Sequence, residues 1–107
     1  MRVLLASLVA LVLALTLALP AQAKRWPVPP DWWKYSRDMV AVRNCESGNG
    51  KHSRNLYGML DAWPLVGGDG GKTGAWSASY AEQHYRAWLF WKRYGCHAGW
   101  GVWDGCC

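Results

Sequence analysis

The residue best placed to do chemistry is Glu46, which lies at the end of a helical pattern that Gly48 should terminate. A carboxylate at a helix C-terminus faces the negative end of the helix dipole, so its charged form is disfavoured. Aromatic neighbours would exclude water from the carboxyl group and raise its pKa further. A carboxylic acid that stays protonated near neutral pH is what a general acid for glycoside cleavage requires. The alternative is a solvated glutamate without a chemical role.

The four cysteines, Cys45, Cys96, Cys106 and Cys107, predict disulfides. A bond between the neighbours Cys106 and Cys107 needs a strained ring, so Cys45 should join one of these two and Cys96 the other. The longer bridge would contribute on the order of 4 kcal/mol to stability in the chain-entropy model. A metal site with His97 lacks paired Cys-x2-Cys spacing, so we expect neither a metal nor a cofactor. Export to an oxidising compartment favours a disulfide at Cys45. A free thiol nucleophile at this position is therefore disfavoured.

The first 23 residues predict a secretory signal peptide. Arg2 precedes an apolar run from Val3 to Leu19, and Ala21-Gln22-Ala23 has the small-x-small form of a cleavage site. A retained membrane anchor is the alternative, because roughly 17 apolar residues reach the lower limit for a span. The polar onset at Lys24 favours cleavage. We therefore expect a secreted, cell-wall-associated protein in an oxidising space, where disulfides persist.

The charge of the mature chain suits an anionic partner. Without Arg2, 11 Lys and Arg remain against 7 Asp and Glu. Such a balance is compatible with bacterial wall polymers, phospholipid surfaces or nucleic acid. No run of Lys and Arg exceeds two residues, so we do not expect a nucleic-acid partner. We expect a monomer that does not insert stably into a membrane after signal cleavage.

Two helices should organise the mature domain. Residues 24–31 contain three prolines and predict a stiff, non-helical leader. Asp31 could cap a helix that ends near Gly48. Ser79 and Glu82 form a capping box that predicts a second helix to Tyr94. The face of this helix that could pack on the first one carries Ala81, Tyr85, Trp88 and either Trp91 or Lys92.

The segments between the helices are less regular. Residues 56–60 could form a short helix or a strand, and residues 67–71 predict a mobile glycine loop. Nine Trp exceed what a core of this size hides easily, so Trp63, Trp100 and Trp103 are candidates for the walls of a sugar-binding cleft. Packing in the core is the alternative for each of them.

Several motifs occur in a fixed order along the chain. They are Cys45-Glu46-Ser47-Gly48 after Val40 to Asn44, Tyr57-Gly58 with Leu60, Trp63 with Gly67-Gly68, Glu82-Gln83, and Gly99-Trp100-Gly101-Val102-Trp103 with Cys106. Together they resemble the resuscitation-promoting-factor family, a group of transglycosylase-like domains in the lysozyme superfamily. The resemblance covers about residues 32 to 106, nearly the whole mature chain.

The resemblance implies an α+β, mostly helical, lysozyme-like domain over residues 32–107, with a cleft between its two principal helices. It implies that Glu46 is the catalytic acid and that Cys45 pairs with Cys106, which leaves Cys96 and Cys107 as a second bridge. The implied substrate is the glycan strand of peptidoglycan, cleaved at the β-1,4 bond between N-acetylmuramic acid and N-acetylglucosamine. One carboxyl group suffices when the product is an anhydro sugar.

The candidate substrate-binding residues are Tyr57, Asp61, Trp63, Trp100 and Trp103. The segment between Glu46 and Tyr57 is about three residues shorter than in the family, and Asp61 stands where the family has Gln, so we expect a shorter cleft. Asp61 could face Glu46 and stabilise an oxocarbenium-like transition state or activate water, which would give lysozyme-type hydrolysis. The alternative is a turn aspartate.

Two functions from other classes compete with the enzyme. A non-catalytic binder of wall glycan would keep the fold with a degenerate site. A cationic, Trp-rich peptide would instead disrupt membranes and would not need the surroundings of Glu46.

Overall fold

The computed structural model describes residues 25–107, and the predicted signal peptide at residues 1–23 lies outside them. The described chain forms six α-helices, a 3₁₀ turn and a π-helical turn, and none of its residues is in a strand. The mostly helical class is therefore confirmed, whereas the β part of the predicted α+β fold is wrong for residues 25–107. The elements in chain order are α1 Asp31–Lys34, α2 Arg37–Ser47, α3 Ala62–Leu65, the 3₁₀ turn Gly71–Thr73, α4 Gly74–Ser77, α5 Tyr80–Cys96, the π turn His97–Gly101 and α6 Val102–Asp104.

Residues 56–60, for which a short helix or a strand was possible, form neither. Side chains supply the hydrogen bonds that a neighbouring strand would otherwise make. Gln83 on α5 accepts a hydrogen bond from the Leu56 N–H at 2.8 Å. The Asn55 side chain accepts from the Met59 N–H and donates to the Met59 carbonyl, both at 3.0 Å. Buried backbone groups need such partners, and here a neighbouring strand is not required to supply them.

The predicted helix from Asp31 to Gly48 is divided into α1 and α2. Ser36 causes the break, because its hydroxyl donates to the Trp33 carbonyl at 2.7 Å and accepts from the Met39 N–H at 3.2 Å. A serine with extended backbone that binds the N–H three residues on is a helix N-cap. The prediction of one continuous helix capped by Asp31 is therefore wrong, because α1 ends at Lys34 and Ser36 caps a second helix.

The end of α2 is as predicted. Gly48 adopts the left-handed conformation with φ 60°, and the Asn49 N–H returns to the Arg43 carbonyl at 3.0 Å. This is the hydrogen-bond pattern of a Schellman cap, which satisfies the last carbonyls of a helix. The prediction that Glu46 lies in the last turn is confirmed.

The predicted capping box begins α5. The Ser79 hydroxyl accepts from the Glu82 N–H at 3.1 Å, and the helix stays regular up to Gly95, whose φ of 74° interrupts it. The predicted contact face is confirmed only in part, because Trp88 and Trp91 pack on α1 but are not the most buried residues of α5. The residues of α5 that are buried before this break are Gln83, Arg86, Ala87 and Phe90.

Aromatic rings join α1 to α5. Trp32 and Trp33 both contact Trp88 and Trp91, with ring centroids 5.3 to 6.3 Å apart. Trp88 and Trp91 are partly buried and border the core. Residues 25–30 are not helical, as predicted for the leader. Within residues 25–107, no helix has both the length and the apolar character that crossing a bilayer demands.

Candidate active site

Glu46 borders a cavity of about 190 Å³ between the end of α2 and the segment that follows it. Its Oε1 atom is buried and meets no hydrogen-bond partner among the described residues. Gly58 permits this placement, because a Cβ atom there would overlap the Glu46 carboxyl group. The other residues around the cavity are Ser53, Asn55, Leu60, Trp76 and Asp104.

The Glu46 carboxyl group is electrostatically unusual. Its pKa is raised from 4.5 to about 8, first by burial, then by a hydrogen bond to the Asp104 side chain and by the negative charge of that carboxylate. Two ionised carboxylates cannot donate to each other, so this bond requires a proton between them. Glu46 is therefore a protonated acid at neutral pH, in the direction that the sequence predicted.

The disulfides hold this acid in place. Cys45, which precedes Glu46, is bonded to Cys106, and Cys96 is bonded to Cys107. These are the pairs that the family resemblance implies. The first bridge joins positions 61 residues apart and brings the tail, with Asp104, beside the end of α2.

A second cavity of about 200 Å³ adjoins the first and shares Gly58, Leu60 and Asp104 with it. We call the two together the groove. Trp100 and Trp103 line the second cavity in different ways. Trp100 is buried and donates from Nε1 to the Tyr57 carbonyl at 2.7 Å, whereas Trp103 is 62% exposed. Trp103 is thus free to meet a ligand with its ring.

Asp61 lies in the second cavity and not in the one that contains Glu46. Its carboxylate forms an exposed ion pair with Lys72 at 3.4 Å. The carboxyl group in contact with Glu46 belongs to Asp104 instead. Asp104, and not Asp61 as hypothesised, is therefore the carboxyl group that interacts with Glu46.

Tyr57 and Trp63, both predicted to contact sugar, are core residues. Tyr57 is fully buried, and its hydroxyl accepts from Arg43 at 3.0 Å and is 2.7 Å from His84 Nδ1. Trp63 is buried as well and donates from Nε1 to the Asp69 carbonyl at 2.8 Å. Their rings are covered because each has its polar atom satisfied inside the protein, so neither lines the groove.

Asp104 is the residue that the sequence reasoning missed. A signal for it was present, because Asp104 lies two residues before Cys106, the implied partner of Cys45. A bridge between the neighbours of two carboxyl groups brings those groups into the same region. The implied pairing of Cys45 with Cys106 was therefore enough to place Asp104 near Glu46.

The sulfur atoms of the site region are not thiolate ligands. Asp38 lies close to Cys96 and Cys107, but these two cysteines form a disulfide. Thiolates, not disulfides, bind zinc and similar metals.

The chain matches no model of a known protein family, no curated protein and no solved structure. The geometry and electrostatics of the groove are therefore the basis for assigning a function.

Proposed function

We propose that the protein is a secreted glycosidase that cleaves the glycan strands of peptidoglycan, with Glu46 as general acid. The observation that carries the proposal is a glutamic acid with a pKa of about 8 on the wall of an aromatic-lined groove. General acids for glycoside cleavage need a proton at neutral pH and access to the bond. The ordered motifs that resemble the resuscitation-promoting-factor family, and the lysozyme-like fold they imply, support the same assignment.

The reaction begins with proton transfer from Glu46 to the bridging oxygen of the β-1,4 bond. The bond between C1 of N-acetylmuramic acid and this oxygen then breaks, and the N-acetylglucosamine hydroxyl leaves. Glu46, now a carboxylate, accepts the proton of the C6 hydroxyl as O6 bonds to C1. The products are a free hydroxyl end and a 1,6-anhydro sugar, Glu46 is protonated again, and no water is consumed.

The contact between Glu46 and Asp104 favours this one-carboxyl route. Retaining glycosidases hold their two carboxyl groups about 5–5.5 Å apart, and inverting enzymes hold them about 6.5–9.5 Å apart. A side-chain hydrogen bond to Asp104 is among the causes of the raised Glu46 pKa, and hydrogen-bonded oxygens lie closer together than either of these separations. We therefore assign Asp104 no role as the second carboxyl group of such a pair.

The substrate class follows from the lining of the groove. The exposed Trp103 ring offers a flat apolar surface to the C–H face of a pyranose, next to the proton donor. The excess of basic over acidic residues suits an acidic wall polymer. Both features are compatible with a glycan strand that carries muramic acid.

The test uses the mature chain, residues 24–107, with its disulfides formed. The protein is incubated with purified sacculi, and the released muropeptides are separated and weighed by mass spectrometry. We expect products with anhydro ends from the wild type and none from Glu46→Gln. Asp38→Asn is the matched control, because Asp38 is an exposed acid on the same helix, outside the groove.

Each other result has a defined meaning. Reducing ends in place of anhydro ends would support glycan cleavage but overturn the one-carboxyl route. Binding to sacculi without cleavage, unchanged in Glu46→Gln, would overturn the enzyme in favour of a glycan-binding protein. Leakage from pure lipid vesicles that survives Glu46→Gln, without cleavage of sacculi, would favour a membrane-disrupting peptide.

A further inference from the structure

Asp104 is the one residue besides Glu46 that brings a charged side chain to the smaller cavity of the groove. The remaining residues around this cavity are uncharged: Ser53, Asn55, Gly58, Leu60 and Trp76. Asp104 itself is exposed and also borders the larger cavity. It therefore stands at the junction of the two cavities, with its carboxylate against the candidate acid.

The backbone fixes Asp104 from both sides. Gly105, which follows it, has φ 70°, and its N–H donates to the Gly101 carbonyl at 3.1 Å. The Cys106 N–H donates to the Trp100 carbonyl at 3.3 Å. The disulfide from Cys106 to Cys45 then ties this turn to the residue beside Glu46, with the two Cα atoms 5.7 Å apart. The contact between the carboxyl groups is thus built into the fold.

We propose that Asp104 is a positioning residue, which accepts the hydrogen bond of the Glu46 carboxyl group and so keeps its proton in place until a glycosidic oxygen enters the groove. This inference rests on the proposed function, because it assumes that Glu46 is the acid. Asp104 does not touch the bond that breaks. It acts through Glu46, and the sugar oxygen competes with it for the same proton.

Two other charged side chains in this region, those of Arg54 and Asp61, are engaged with other groups. Arg54 donates to the carbonyls of Trp76 and Ala78, both at 3.3 Å. Asp61, on the far side of the groove, is paired with Lys72. His52 lies under Gly48, at the end of α2. Among the causes of the raised Glu46 pKa, burial comes first and Asp104 supplies both of the others.

The test measures the proton on Glu46 directly. The mature protein is labelled with ¹³C at its glutamate side-chain carboxyl groups, and their chemical shifts are followed from pH 3 to pH 10. Glu82 provides the internal comparison, since Glu46 and Glu82 are the two glutamates of the chain. We expect the wild-type Glu46 midpoint near 8 and a decrease of about one unit or more in Asp104→Asn and in Asp104→Ala.

The matched control is Asp61→Asn, which removes the same charge from the other end of the groove and should leave the Glu46 midpoint unchanged. In the cleavage assay, the alkaline limb of the rate should move to lower pH in the Asp104 variants by the same amount as the midpoint. A purely structural role would lower the rate at every pH without moving this limb. The ¹H–¹⁵N spectrum of each variant reports whether it is folded. If Asp104→Asn is not folded, the comparison rests on Asp104→Ala.

The outcomes separate this inference from the proposed function. A high Glu46 midpoint that falls in the Asp104 variants supports the role of Asp104 even if sacculi are not cleaved, in which case only the proposed function fails. Cleavage that requires Glu46, with a midpoint that is unchanged in folded Asp104 variants, overturns the role of Asp104 and leaves the enzyme standing. An equal shift of the Glu46 midpoint in Asp61→Asn also overturns the role of Asp104, because any negative charge near the groove would then have the same effect.

Discussion

Gln83 and Glu46 both place polar side chains inside the protein, but they differ in how far their hydrogen bonds are satisfied. Gln83 is 1% exposed, and both of its polar atoms are bonded. Its Oε1 accepts from the Leu56 N–H, and its Nε2 donates to the carbonyls of Arg54, Ala75 and Ala78 at 2.9 to 3.2 Å. Glu46 has a buried oxygen without a partner, beside a cavity, and a proton that it shares with a second carboxyl group.

The difference shows which polar group is available for chemistry. A buried group with all its hydrogen bonds made fixes the structure, and the loss of one bond is costly. A buried acid with an unused oxygen and a shifted pKa is typical of a functional site. We therefore expect changes around Gln83 to affect stability and changes around Glu46 to affect activity.

The largest effect should come from Gln83→Leu. The change leaves the Leu56 N–H and several carbonyls buried without partners, so the free energy of unfolding should fall by about 2–4 kcal/mol. Urea denaturation measures it. Asn44→Leu, a similar change at an exposed position of α2, should cost less than about 0.5 kcal/mol. Equal losses in the two variants would contradict this distinction, because the hydrogen bonds of Gln83 would then contribute nothing specific to stability.

A change at Gly58 should act on the groove instead. In Gly58→Ala the new methyl group would overlap the Glu46 carboxyl group at a residue with φ 60°, so the acid must move. A displacement of about 1 Å can cost roughly 100-fold in rate, which we expect for cleavage of sacculi. Gly71→Ala is the control, because Gly71 has φ 66° and open space around it. It should show a similar backbone strain but the wild-type rate per folded molecule.

The pH dependence of stability should differ between wild type and Glu46→Gln. The pKa of Glu46 is about 8 in the folded protein and 4.5 in its reference state, so unfolding releases a proton between these values. The stabilising contribution of the protonated form is complete below pH 4.5 and is lost as pH rises through 8. Between pH 4 and pH 9, the free energy of unfolding of Glu46→Gln should rise by on the order of 1–3 kcal/mol relative to that of the wild type. This range allows for the partial exposure of the Glu46 side chain.

Thermal or urea unfolding at the two pH values gives this difference directly. A constant gap between wild type and Glu46→Gln would mean that Glu46 titrates normally, and the contrast with Gln83 would lose its electrostatic part.

The smallest effect should come from Trp103→Ala. Loss of an exposed ring that stacks on a sugar should weaken binding by about 0.5–1.5 kcal/mol, which corresponds to a KM increase of about 2- to 12-fold. Trp32→Ala is the control, since Trp32 is 65% exposed but borders neither cavity of the groove. An equal change in both variants would show that exposed Trp rings contribute to glycan binding wherever they lie.

Local signals in the amino-acid sequence were enough to predict where the main helices begin and end. Gly48 ends α2, Ser79 begins α5, and Glu46 therefore lies in the last turn of its helix. These signals act between residues three to six positions apart, so the composition of a short window is enough to read them. Even there, the predicted first helix is divided, because the Ser36 hydroxyl accepts from the Met39 N–H and caps α2 five residues after Asp31.

Which side chains share the groove depends on long-range packing. Burial of Tyr57 and Trp63, pairing of Asp61 with Lys72, and contact of Asp104 with Glu46 all depend on segments far apart in the chain. Gln83 likewise satisfies Leu56 from 27 residues away, which removes the need for a strand. Such contacts depend on how helices and turns pack in three dimensions, and neither periodicity nor the spacing of motifs records that packing.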